Sequence, residues 1–176
     1  MRTRSLFFLL LLSVLAVGAR AQQPAPTVVS APSVFSYVAP SGWVTISLPN
    51  SVYPTAVENP NAADPKHVKA FITITNDTSS NGLTAWCTQT MAKNKAQFAL
   101  LNATVGPLEP FTTTAGANAY RATVDLTARG KAVHYFLYFF AGSNDAKITV
   151  TCACASSDVA HYAPLFETAM KTFIAN

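Results

Sequence analysis

The sequence predicts an α/β (α+β) domain, a central antiparallel sheet of six to seven strands with helices packed on both faces as an α/β/α sandwich. Three observations carry this. Several stretches alternate apolar and polar residues with period two, as half-buried strands do. Two others repeat apolar residues at three- and four-residue steps, as helices do. One stretch, Lys131 to Phe140, is apolar on both faces and so needs cover on both.

Ahead of the domain stands an export signal. Arg2 and Arg4 precede an apolar run from Leu6 to Val17, and Gly18-Ala19-Arg20-Ala21 offers small residues where a signal peptidase reads. The run is too short for a spanning helix, which needs about 20 apolar residues. Residues 1–21 are therefore expected to be a signal peptide, cleaved after Ala21, leaving no transmembrane segment in the mature chain. Residues 22–33, rich in Pro, Ala and Gln without an apolar period, read as a flexible leader. Residues 34–176 form the single domain, a length that buries roughly 68–70% of its unfolded surface.

The elements follow in order. Phe35 to Val38 alternates and runs into a turn at Pro40 and Gly42. Val44, Ile46 and Leu48 alternate with polar residues and predict a strand with one buried face. Four prolines interrupt the segment from Pro49 to Pro65, within which Val52 to Val57 fits a short edge strand. Val68 to Thr75 returns to strand chemistry, with Ala70, Ile72 and Ile74 on one side. Thr78 to Gly82 then supplies helix caps. Leu83, Cys87, Thr90 or Met91, Asn94, Phe98 and Leu101 make a helical stripe expected to end near Gly106-Pro107.

Tyr120, Ala122, Val124 and Leu126 share one face of the next strand. After Arg129-Gly130 comes the doubly apolar strand. Val133, Tyr135, Leu137 and Phe139 point one way; His134, Phe136, Tyr138 and Phe140 point the other. Ile148, Val150, Cys152 and Cys154 then share one face of the last strand. Ser156-Ser157-Asp158 opens a terminal helix with the stripe Tyr162, Phe166, Ala169 or Met170, and Phe173. Pro164 fits the first turn of a helix, so the regular part is expected to begin late. No internal repeat is visible.

Two segments resemble a known family. Phe35-x-Tyr37-x-Ala39-Pro40-x-Gly42-Trp43 is similar to the opening strand and turn of PsbP-like proteins and their DcrB-like relatives. Val150-Thr151-Cys152, followed by Tyr162-x-Pro164-Leu165-Phe166-x-x-Ala169-Met170-Lys171-Thr172-Phe173, is similar to the family's final strand and helix. The resemblance covers roughly residues 34–173 and implies the same architecture, a central antiparallel sheet with helices on both sides. Members of that family are mostly non-enzymatic accessory proteins, including extrinsic subunits of photosystem II, so the resemblance implies little about activity. It transfers no metal ligand onto this chain.

Charge excludes one large class. Of twelve basic residues, Arg2, Arg4 and Arg20 leave with the signal, so nine face eight acidic residues. A near-neutral mature chain with no Lys/Arg cluster lacks the electrostatic footprint of a nucleic-acid binder. The sequence also contains no nucleophile elbow, phosphate loop, zinc-protease helix or dinucleotide fingerprint, so no catalytic or cofactor-binding residue is assigned and no cofactor is expected.

Three cysteines in an exported chain are an odd number. Two structural readings compete: a disulfide from Cys87 to Cys152 or Cys154, and three buried free thiols. The chemical reading gathers Cys87, Cys152, Cys154 and a histidine into a metal or redox site, although no Cys-x-x-Cys or His-x-x-x-His spacing supports it. His134, among aromatics, reads as a hydrogen-bonded core histidine, while His67 and His161 read as solvated. Trp43, Tyr53, Glu58, Asp64 and His67 are the candidate partner surface, because long irregular segments tend to carry function. Trp43 as a lid on the core competes with that reading.

The function expected is an exported non-enzymatic accessory or binding protein of the periplasm or cell exterior, with a protein or small-ligand partner in the envelope. The alternatives are a metal-handling or thiol-redox protein using the three cysteines, and a small hydrolase with an unrecognised site.

Overall fold

The computed structural model describes residues 27–31, 34–48, 51–58, 69–99, 101–128 and 130–176. The expected signal peptide and most of the expected leader lie outside them, as do Asp64 and His67. The chain opens with β1 (Val28–Ala31), β2 (Phe35–Val38), β3 (Val44–Ile46), β4 (Thr55–Glu58) and β5 (Ala70–Thr78). Then come α1 (Leu83–Ala99), β6 (Thr104–Val105), β7 (Glu109–Thr112), β8 (Asn118–Ala128), β9 (Lys131–Ala141) and β10 (Ala146–Ala155). A 3-10 turn at Ser156–Asp158 leads into α2 (Val159–Lys171), and β11 (Ile174–Ala175) closes the order.

Among the described residues, eight strands make the main sheet in the order β3-β4-β5-β10-β9-β8-β6, with β7 also paired to β8. Every pairing is antiparallel. A second, three-stranded sheet runs β1-β2-β11. The predicted α/β/α sandwich is present, and β9 shows why. Its Tyr135, Leu137 and Phe139 pack with Trp86, Cys87 and Met91 of α1, while Tyr138 and Phe140 pack with Phe166 and Met170 of α2. The pleat sends alternate residues to opposite faces, so a strand apolar at every position joins two cores.

The second core also holds the small sheet. Phe173, just after α2, lies between Phe35 of β2 (ring centroids 5.8 Å) and Phe140 of β9 (4.1 Å). Each such ring removed from water contributes about 1.5–3 kcal/mol, which fixes the C-terminal segment to both sheets. Lys147, the one buried cation among the described residues, donates to the carbonyls of Ser79 (2.8 Å) and Asp145 (3.2 Å), tying β10 to the entrance of α1.

Several expectations are corrected. Val28–Ala31, assigned to the flexible leader, is a strand in full register with β2, and Val29 is buried. Two adjacent valines suffice for this because the partner strand supplies the ladder, which four residues cannot announce by periodicity. The segment Val52 to Val57, expected at an edge, contributes β4, which lies between β3 and β5. Pro54 stands just before the strand, so it removes no ladder donor. The edge is β3, and its Val44 is 48% exposed instead of buried.

The helices differ from expectation too. Stripe position Leu101 is exposed, whereas Trp86 is buried. Asn102 takes a left-handed φ of 51°, and its N–H bonds the Ala99 carbonyl, which ends α1 before Gly106-Pro107. At the other end of the chain, α2 is regular from Val159 and carries Pro164 in its interior. Residues 160 and 164 are both exposed, so solvent can take the Ala160 carbonyl that the proline leaves without a donor.

Candidate functional site

The Pro40-Ser41-Gly42-Trp43 turn shows how local sequence sets the site. Gly42 has φ +82°, the left-handed value a type II turn needs at its third position, and Trp43 N–H closes the turn on the Pro40 carbonyl at 3.2 Å. The turn delivers Trp43 into the core, where its ring stands edge-on to Tyr162 (6.5 Å) and Phe166 (5.9 Å) of α2. Trp43 is 3% exposed and Tyr53, edge-on to Phe35, is 9%. Neither is a partner surface; both are anchors between layers. Between this turn and α2 lies a cleft of about 260 Å³ whose walls include Val38, Pro40, Leu165 and Thr168. None of its described lining residues is titratable.

A polar cluster stands instead at one end of the main sheet. Reading straight across the ladder, Glu58 of β4 faces Ala70 of β5, which faces Cys154 of β10. Cys154 in turn faces His134 of β9, which faces Asp125 of β8. Directly opposed residues project from the same face, and that face is the one α2 covers, since Cys154 and Tyr162 belong to one core. Sequence separation hides this row, which gathers residues from five strands.

Two hydrogen bonds organise the row. Tyr162 of α2 donates its hydroxyl to the Glu58 carboxylate. Burial first, and then that bond and the nearby carboxylates, raise the phenol well above its usual range. On the other side, His134 Nδ1 lies 2.6 Å from Asp125 Oδ1. The carboxylate is an acceptor, so Nδ1 carries the proton, and in the neutral imidazole this leaves Nε2 as the acceptor. His134 also packs edge-on to Phe136 at 4.5 Å, with 13% of its side chain exposed against 52% for Asp125. The expected hydrogen-bonded histidine is thus a β8–β9 cross-strand residue at the rim of the core. His161 is exposed, as expected.

The cysteines are placed differently from the disulfide reading. Cys152 and Cys154 face α2, while Cys87 on α1 lies on the opposite side of the sheet, in the core that contains Ala153. The sheet separates the thiols, so the Cys87 bridge to either strand cysteine is corrected: all three are free and buried. The same separation prevents the three sulfurs from meeting at one metal or redox centre. Among the described residues, no group of three His, Cys, Asp or Glu side chains is placed to hold a metal ion.

Of the other candidate surface residues, Glu58 is half-buried and tied to Tyr162, and Asp64 and His67 lie outside the described residues. Among those residues no helix is long and apolar enough to cross a membrane. Sequence reading missed Tyr162 and Asp125. Tyr162 was visible only as a core position, and Asp125 only as the polar side of an alternating strand.

No family model matches the sequence, and no curated protein does. Solved structures do. The chain is similar to cyanobacterial PsbP (CyanoP) from Synechocystis, with a TM-score of 0.61 at 12% identity over 91% of this chain and 99% of that one. LpqN of Mycobacterium tuberculosis, described as involved in cell envelope biogenesis, gives 0.58 at 11% identity, covering 86% of this chain and 91% of LpqN. The Ran-binding protein Mog1p of Saccharomyces cerevisiae gives 0.53 at 13% identity, covering 85% and 95%. At these identities the likeness establishes a PsbP-like fold, in agreement with the resemblance of the opening turn and final helix.

Proposed function

We propose that this chain is an exported, non-enzymatic accessory or binding protein of the periplasm or cell exterior, with a protein or small-ligand partner in the envelope. The observation that carries the reading is the fold, shared nearly end to end with LpqN, described as involved in cell envelope biogenesis, and with Mog1p, a Ran-binding protein. Fold likeness is an analogy for function and sets a class of role rather than a partner. The N-terminal pattern of basic residues, apolar run and small-residue cleavage motif supports export. Among the described residues, Glu58 is the remaining surface candidate, at the point where β4 leads into the segment that carries the untested candidates Asp64 and His67.

The test is fractionation and cross-linking in the native host. The tagged protein is expected in the periplasm or medium, beginning at Gln22, and cross-linked to one recurrent envelope partner whose yield falls in the Glu58→Gln variant. A cytoplasmic chain retaining residues 1–21 would refute export. A correctly exported chain with no recurrent cross-link would refute the accessory role.

A further inference from the structure

Cys154, His134 and Asp125 occupy successive strands of one transverse row, with side chains on one face. Directly opposed Cβ atoms in such a ladder are about 4.5–5.5 Å apart, a span that rotation of the thiol and imidazole can close. The imidazole is already oriented, its Nδ1 held by Asp125 at 2.6 Å and Nε2 left as the acceptor. Cys152 has no such neighbour, facing Ile72 and Phe136 across the ladder, and Cys87 sits on the far side of the sheet. Cys154 is also next to the end of β10, where Ala155 gives way to the 3-10 turn, and strand ends open locally before strand centres do.

We propose that Cys154 is the reactive thiol of this protein, served by the His134–Asp125 pair as base and orienting group, and that it takes positively charged low-molecular-weight disulfides by exchange. Local opening of the 3-10 turn lets the thiol reach Nε2, which takes its proton. The thiolate attacks one sulfur of the disulfide, a new S–S bond to Cys154 forms and the old S–S bond breaks. The departing thiolate recovers the proton from the imidazolium, leaving a mixed disulfide and one free thiol, with no net oxidation.

The preference for a cation comes from the surroundings. Asp125 is paired with the imidazole, Glu58 with the Tyr162 phenol, and Asp158 with the Ser157 hydroxyl. None of the three carboxylates has a lysine or arginine partner among the described residues. Among the described residues beside the row, His161 packs edge-on to Tyr162 at 4.7 Å, and Lys69, whose backbone N–H bonds the Glu58 carbonyl, sends its side chain to the opposite face of the sheet from Ala70. Burial, and then the Asp158 charge, push the Cys154 thiol up to about 11; Cys87 is pushed up to about 12 and Cys152 well above the usual thiol range. The closed protein therefore holds all three thiols protonated, and Cys154 is the least suppressed.

The purified chain is treated with cystamine and, separately, with dithiodiglycolate, and adducts are followed by intact mass and peptide mapping. One adduct is expected, at Cys154, forming faster with the cationic reagent, by a margin that shrinks as salt rises. His134→Gln is expected to slow it by about tenfold or more and to abolish the acid limb of its pH–rate profile. Asp125→Asn should slow the reaction, with circular dichroism confirming that both variants stay folded. Cys154→Ala should remove the adduct. Equal or faster labelling of Cys87 or Cys152, an unchanged pH–rate profile in His134→Gln, or no adduct while the urea-unfolded chain is fully labelled would each overturn the proposal.

Discussion

Tyr162 of α2 donates its phenolic hydrogen bond to the carboxylate of Glu58 at the end of β4, joining the second helix to the main sheet beside Trp43. It is a charge-assisted bond between elements far apart in sequence. Removing either partner should cost stability, and removing both should cost little more. With Glu58 half-buried, a coupling of about 1 kcal/mol is expected, below the roughly 1.5–3 kcal/mol of hydrogen bonds to charged groups because solvent screens the carboxylate. A urea-denaturation cycle of Tyr162→Phe, Glu58→Gln and the double variant measures it. Strict additivity would mean the bond contributes nothing.

Trp43 is expected to behave as a core residue. Its indole wedges against Tyr162 and Phe166, and truncation would leave a cavity between the turn and α2. Trp43→Ala should cost about 3–5 kcal/mol, read from the urea midpoint. A loss below about 1 kcal/mol would return Trp43 to the surface, where such changes are small.

Tyr37 gives the opposite expectation. It is 1% exposed, and its hydroxyl is the buried side-chain N or O atom without a hydrogen-bond partner among the described residues. Leaving such a group unpaired costs about 1–3 kcal/mol. Tyr37→Phe should therefore leave stability unchanged or raise it by about 1 kcal/mol, with the aromatic packing on Phe173 retained. A clear loss in thermal or urea unfolding would show that the hydroxyl is bonded in solution.

Alkaline pH should unfold the protein earlier than neutral pH does. Burial raises Cys87 to about 12 and Cys154 to about 11 from a reference of 9.0, and raises Cys152, Tyr37 and Tyr138 as well. The folded chain keeps these protons where the unfolded chain releases them. Their contribution is complete below the unfolded thiol value and is lost as pH climbs from about 9 toward 12, at roughly 1.4 kcal/mol per pH unit for each such group. Urea midpoints should decline over that range, less steeply in Cys154→Ala. A flat profile would contradict the burial.

Thiol counting checks the opposite-face arrangement. Denatured without reductant and alkylated, the protein should carry three adducts, one on each cysteine. Two unreactive cysteines would mean a bridge, which Cys87 could reach only if α1 left its face of the sheet.

Strand and helix positions were largely legible because alternation and helical spacing are local. The two faces of β9 could be written down residue by residue, as could the stripe from Tyr162 to Phe173. Short elements escaped. Val28–Ala31, Thr104–Val105 and Ile174–Ala175 are held by partner strands and carry too few residues to show a period. The candidate site was hardly legible at all, because Glu58, Cys154, His134 and Asp125 share a row only through ladder register.

By itself, then, the sequence determined the class of fold, the doubly covered strand and the turn at Gly42, all of which follow from the stereochemistry and hydropathy of neighbouring residues. The tertiary structure decided which helix lies on which face. That choice sets Cys87 apart from Cys152 and Cys154, takes Trp43 into the core and brings Tyr162 to Glu58. An amphipathic helix states how much apolar surface it must bury, but both faces of a doubly apolar sheet offer equivalent cover, and only packing distinguishes them.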